Sequence, residues 1–111
     1  MIADPEYARI FTKARIIAWQ YGWALSVHGS QTRDLDLLMV PWTEWAYEHD
    51  HVLREIARKN DLHRRHGEYT RKPHGRLSMS LYMPEFGDPR WIDVSIIPRP
   101  RVIREPEPYV K

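Results

Sequence analysis

The chain contains no cysteine, which removes disulfide frameworks and thiolate zinc sites and fits a reducing compartment. Net charge is also scarce: +2 over 111 residues, so the field of the whole molecule is weak. No apolar run approaches the ~20 residues that a membrane-spanning helix requires. The opening Met1-Ile2-Ala3-Asp4-Pro5-Glu6 has neither the basic region nor the apolar stretch of a secretory signal. The expectation is a cytoplasmic protein with no membrane partner.

What is present describes an ordinary globular domain. Apolar residues make up 42% and charged residues 29%, enough for one hydrophobic core and too little chain for two. Nine prolines gather in loops and near the C-terminus. Residues 1–98 therefore read as one domain and residues 99–111 as a tail rich in proline, arginine and glutamate.

Asp4 and Pro5 open a first helix, one as cap and the other as first helical residue. Tyr7, Ile10, Phe11, Ala14, Ile17, Ala18 and Tyr21 then form an apolar stripe that stops at Gly22. Residues 23–28 and 34–40 read as strands, the second ending at Pro41. Thr43 is the expected cap of a second helix reaching about Asn60, with Trp45, Val52, Leu53, Ile56 and Ala57 as its buried stripe. A polar edge strand is expected over 62–69, followed by a loop over 70–75. Residues 77–83 alternate Leu77, Met79, Leu81 and Met83 with Ser78, Ser80 and Tyr82, as a strand with one buried face does. A final strand covers 91–97. The order is αββαβββ, an α+β class with two helices packed on a mixed or largely antiparallel sheet.

Three carboxylates break this pattern. Asp34 and Asp36 sit at the start of an otherwise apolar strand, and residues i and i+2 of a strand share a face. Two like charges so close, partly removed from water, require a compensating cation. Asp93 interrupts a second apolar strand, Trp91-Ile92-Asp93-Val94-Ser95-Ile96-Ile97. If the two strands are neighbours, all three acids reach one face. Such oxygen ligands suit Mg²⁺ or Mn²⁺, which takes its remaining ligands from water and substrate phosphates. Gly29 and Ser30 precede the pair, in a turn whose backbone and hydroxyl can approach phosphate.

Val27-His28-Gly29-Ser30, Asp34-Leu35-Asp36-Leu37 and Ile92-Asp93-Val94 together resemble the signature of the polymerase β-like nucleotidyltransferase superfamily. More narrowly, residues 20–99 resemble small proteins of bacteriophage genomes whose function is unassigned. The resemblance implies a nucleotidyltransferase-like fold in which Asp34 and Asp36 hold divalent metal. Asp93 would share the catalytic ion and help take a proton, and Gly29 and Ser30 would position a nucleoside triphosphate. The implied reaction transfers a nucleoside monophosphate to a hydroxyl or phosphate on a small molecule, protein or nucleic acid. A bacteriophage origin would place the protein in the host cytoplasm.

Three residues separate Ser30 from Asp34, where the superfamily places a longer loop, and these 111 residues hold no second helical domain. A homodimer or partner protein is therefore expected to complete the cleft. The same features motivate an alternative, a catalytically weak or inactive module that binds a nucleotide or a host protein. A third reading, nucleic-acid binding through basic loops, is opposed by the low net charge.

Other residues carry two readings. His28 either orients a phosphate or base, or bonds within the strand edge. Arg33 either compensates the acidic pair or grips phosphate. Lys72, His74 and Arg76 form either a substrate-facing loop or an exposed turn. His49 and His51, two apart on a helix, cannot face one way, and His63 and His66 fall on a polar strand, so a histidine zinc site is not expected. Trp42 and Trp45 are assigned to packing, with base stacking as the alternative.

Overall fold

A computed structural model of the chain describes residues 2–29, 34–65 and 68–100. Helix α1 spans Pro5–Gln20. Its cap is the expected one, the Asp4 carboxylate accepting from the backbone N–H groups of Glu6 and Tyr7 at 2.9 and 3.3 Å. Its stripe buries Tyr7, Ile10, Ala14, Ile17 and Ala18, while Phe11 and Tyr21 are partly covered. Gly22, at φ +87°, then turns the chain into the sheet.

Strands β1 (Trp23–His28) and β2 (Leu35–Pro41) pair antiparallel. Helix α2 covers His49–Lys59, and two short strands follow, β3 (His63–Arg64) and β4 (Thr70–Arg71). Strands β5 (Leu77–Tyr82) and β6 (Trp91–Ile96) complete a mixed sheet in the order β1-β2-β6-β5-β3, with β4 also pairing with β5. The β2–β6 pair is parallel and the other pairings are antiparallel. This is the α+β class expected, with one more strand than αββαβββ allowed.

Several local expectations are corrected. Helix α2 starts at His49, with Glu48 in the cap position, and not at Thr43. Residues 42–47 instead fold against the α1–β1 turn: Trp42 and Thr43 donate backbone N–H to the Gly22 carbonyl, and Tyr47 to that of Tyr21. These tertiary bonds divert the segment from a helix. Trp45 consequently leaves the buried stripe and is 59% exposed. Trp42, also assigned to packing, is exposed and stacks on Trp19, itself exposed, with ring centroids 5.5 Å apart. Of the edge strand expected over 62–69, only His63–Arg64 is strand among the described residues, and β4 begins where a loop was expected.

Alternation along the strands decides which way each side chain faces. Trp23, Leu25, Leu35, Leu37, Met39, Met79, Leu81, Ile92, Val94 and Ile96 are buried with the apolar stripes of both helices in one cluster. Burying each large aliphatic side chain contributes ~1.5–3 kcal/mol before the entropy cost. The helices therefore lie on one face of the sheet, and among the described residues no helix covers the other. Among the described residues, no helix is long and apolar enough to cross a membrane.

Candidate carboxylate site

Because Leu35, Leu37 and Met39 point into the core, Asp36 points to the helix-free face. The same logic applies in β6, where Ile92, Val94 and Ile96 are buried and Asp93 faces away. The parallel register sets Asp36 directly beside Asp93, on strands about 4.8 Å apart. His28 is the partner of Asp36 on the other side, and Ser80 is the partner of Asp93. One row across four strands thus reads His28, Asp36, Asp93, Ser80.

The two central acids are treated differently. Asp93 accepts two neutral hydrogen bonds, from the Ser80 hydroxyl to Oδ1 at 2.8 Å and from the Trp91 indole N–H to Oδ2 at 3.2 Å. Asp36 has no hydrogen-bond donor among the described residues. Burial raises its pKa above the usual carboxylate value, the charge of Asp93 raises it further, and Asp34 adds to both, while His28 works in the opposite direction. Asp34 lies one residue before β2. Its charge also reaches Tyr7, whose pKa is pushed up to about 12, chiefly by burial. Among the described residues, no lysine or arginine forms an ion pair with any of the three acids.

Gly29 follows β1 at φ +83°, in the left-handed region that favours glycine. A β-carbon there would sit 2.5 Å from Asp36 Oδ2. The close approach that this glycine permits is to Asp36 itself. Ser30 and Arg33, the other residues expected to face phosphate, lie outside the described residues.

The remaining sequence candidates are dispersed. His51 packs its ring on Tyr21 and Tyr47, and His49 meets Tyr69 edge-on. Burial lowers the pKa of His49, and its Nδ1 is buried without a partner among the described residues. His63 is exposed, and His66 lies outside the described residues. Lys72 and His74 stand exposed on a turn closed by the Lys72 N–H donating to the Arg76 carbonyl at 2.8 Å.

Among the described residues, no three His, Asp or Glu side chains come together as a metal-holding group. The Asp36–Asp93 pair still offers a fitting donor set: two carboxylates, one of them lacking a donor and repelled by its neighbours. Mg²⁺ commonly binds proteins through one or two carboxylates, keeping water and substrate phosphates for its other positions. Sequence reasoning did not identify Ser80 and Trp91 as partners of Asp93. The polar alternation of β5 places Ser80 on a face, but only the β5–β6 register brings it to Asp93. No family model, curated protein or solved structure matches the chain.

Proposed function

We propose that the chain is a metal-dependent nucleotidyltransferase with a polymerase β-like arrangement, acting on a nucleoside triphosphate. The observation that carries this reading is the in-register Asp36–Asp93 pair on the helix-free face, beside Gly29 and without a basic partner among the described residues. Asp36 and Asp93, with Asp34, would hold Mg²⁺ or Mn²⁺. When bound, the cation neutralises phosphate charge and makes the acceptor hydroxyl more acidic. Gly29 and Ser30 would hold the triphosphate by backbone and hydroxyl, assisted by Arg33 and His28. The acceptor oxygen bonds to the α-phosphorus, the bond to pyrophosphate breaks, and Asp93 helps take the acceptor proton. A second copy or a partner protein would close the acceptor side.

Labelled nucleoside triphosphates with Mn²⁺ or Mg²⁺ test the proposal. Pyrophosphate release that disappears in Asp36→Asn and Asp93→Asn is the expected result. No turnover with any acceptor, together with no Mn²⁺ binding by calorimetry, overturns it.

One observation favours the second reading, a module that binds without turnover. Both oxygens of Asp93 already accept bonds from the fold, as a carboxylate with a structural task does. Nucleotide or host-protein binding that persists in Asp36→Asn without any turnover in the wild type would select this reading.

A further inference from the structure

A carboxylate offers about four lone-pair directions, and the fold uses one on each oxygen of Asp93. The two donors come from different sides. Ser80 reaches across from β5, whereas Trp91 stands two residues upstream on the same strand and face. On the remaining side runs β2, which brings Asp36 into register and sends Asp93 no side-chain donor. The carboxylate is thus held in orientation from two directions, with lone pairs left over on both oxygens.

The chemistry of the donors is informative. A hydroxyl and an indole N–H orient a carboxylate without cancelling its charge. Elsewhere this molecule neutralises its acids: Arg90 donates to Asp4, Glu6 and Asp88 together, and Arg64 and Arg54 pair with Asp50. Asp93 is oriented by neutral donors and has no basic side chain paired with it among the described residues.

We propose that Ser80 and Trp91 are positioning residues that aim Asp93 at a divalent cation shared with Asp36, an inference that rests on the function proposed above. They act through Asp93 and touch neither cation nor substrate. Removing such an outer partner of a metal ligand typically weakens metal binding 10- to 100-fold.

The test is calorimetric titration of the full chain with Mn²⁺, alongside melting curves in EDTA. Wild type should bind Mn²⁺ and Asp36→Asn should not. Ser80→Ala and Trp91→Phe should each weaken binding ~10-fold or more, whereas Ser80→Thr, which keeps the hydroxyl, should bind close to wild type. Variants that melt lower yet bind Mn²⁺ like wild type overturn the positioning role and leave the metal-site reading standing. A wild type that binds no Mn²⁺ overturns both. Should Ser80→Ala fail to fold, Trp91→Phe decides alone, because it removes the donor while keeping an aromatic ring at a half-buried position.

Discussion

The carboxylate of Asp36 occupies the space that a side chain on Gly29 would need, its Oδ2 2.5 Å from where the β-carbon would stand. Gly29→Ala therefore meets two penalties. One is the left-handed backbone, worth ~1–2 kcal/mol for a residue with a β-carbon; the other is the collision with Asp36. In an Asp36→Ala background only the first remains. Urea unfolding of the two single variants and the double variant should show Gly29→Ala costing clearly more when Asp36 is present. Equal costs in both backgrounds would contradict the geometry.

Asp36 itself should be a stability defect in metal-free protein. Its folded-state pKa is raised by burial, then by Asp93 and Asp34, so the folded form holds that proton more tightly than the unfolded chain. Wild-type stability then falls as pH rises from the unfolded value through the raised folded one, and the deficit persists above it. Asp36→Asn should stabilise the protein at pH 7 in EDTA by on the order of 1 kcal/mol, because it removes a partly buried charge repelled by its neighbours. The advantage should shrink as pH is lowered and the wild-type carboxyl becomes protonated. Thermal melts at a series of pH values read this directly.

Arg90 joins the start of α1 to the β5–β6 connection, donating to Asp4 at 3.0 Å, Glu6 at 2.7 Å and Asp88 at 2.8 Å. Burial works against ionising Asp4, but the bonds from Arg90 and from the helix N–H groups prevail and lower its pKa; Arg90 lowers that of Asp88. Lowered carboxyl values contribute stability above the unfolded pKa, and that contribution is lost as pH falls through the folded values. Arg90→Met should thus melt several degrees lower at pH 7 and show a shallower further loss in acid. Matching acid profiles for variant and wild type would deny the linkage.

Tyr69 ties the second half of the chain to α2, its hydroxyl donating to Asp50 Oδ1 at 2.6 Å beside Arg64 at 2.9 Å. The Tyr69 bond, ahead of Arg64, holds Asp50 below the usual carboxylate range, although burial opposes it. Tyr69→Phe should cost about 1 kcal/mol, the net worth of one such bond. Titration of the Asp50 carboxyl by NMR should show its pKa moving up. An unchanged titration would mean that Arg64 and Arg54 hold the charge without Tyr69.

Much of the candidate site was legible in individual residues. Leu35, Leu37 and Met39 flank Asp36 as Ile92 and Val94 flank Asp93, and period-two alternation alone puts both acids opposite the buried side. The misread segments share one cause. Thr43 and Trp45 have acceptable helical spacing, but backbone bonds to Tyr21 and Gly22 hold residues 42–47 as a turn. Residues 62–69 are polar enough for an edge strand, yet among the described residues the ladders to β5 are His63–Arg64 and, beyond that range, Thr70–Arg71, with one further backbone bond from Arg65 to Ser80.

Local pattern determined where α1 begins, which residues face the core and which acids do not belong there, because capping and alternation act over a few neighbouring residues. The adjacency of β2 and β6, and with it the register that sets Asp36 beside Asp93, was decided by the assembled sheet. So were the donors to Asp93 and the turn beneath Trp45. Strand pairing joins segments far apart in the chain, and it is selected by how well all the buried faces fill one core, a quantity that no single segment carries.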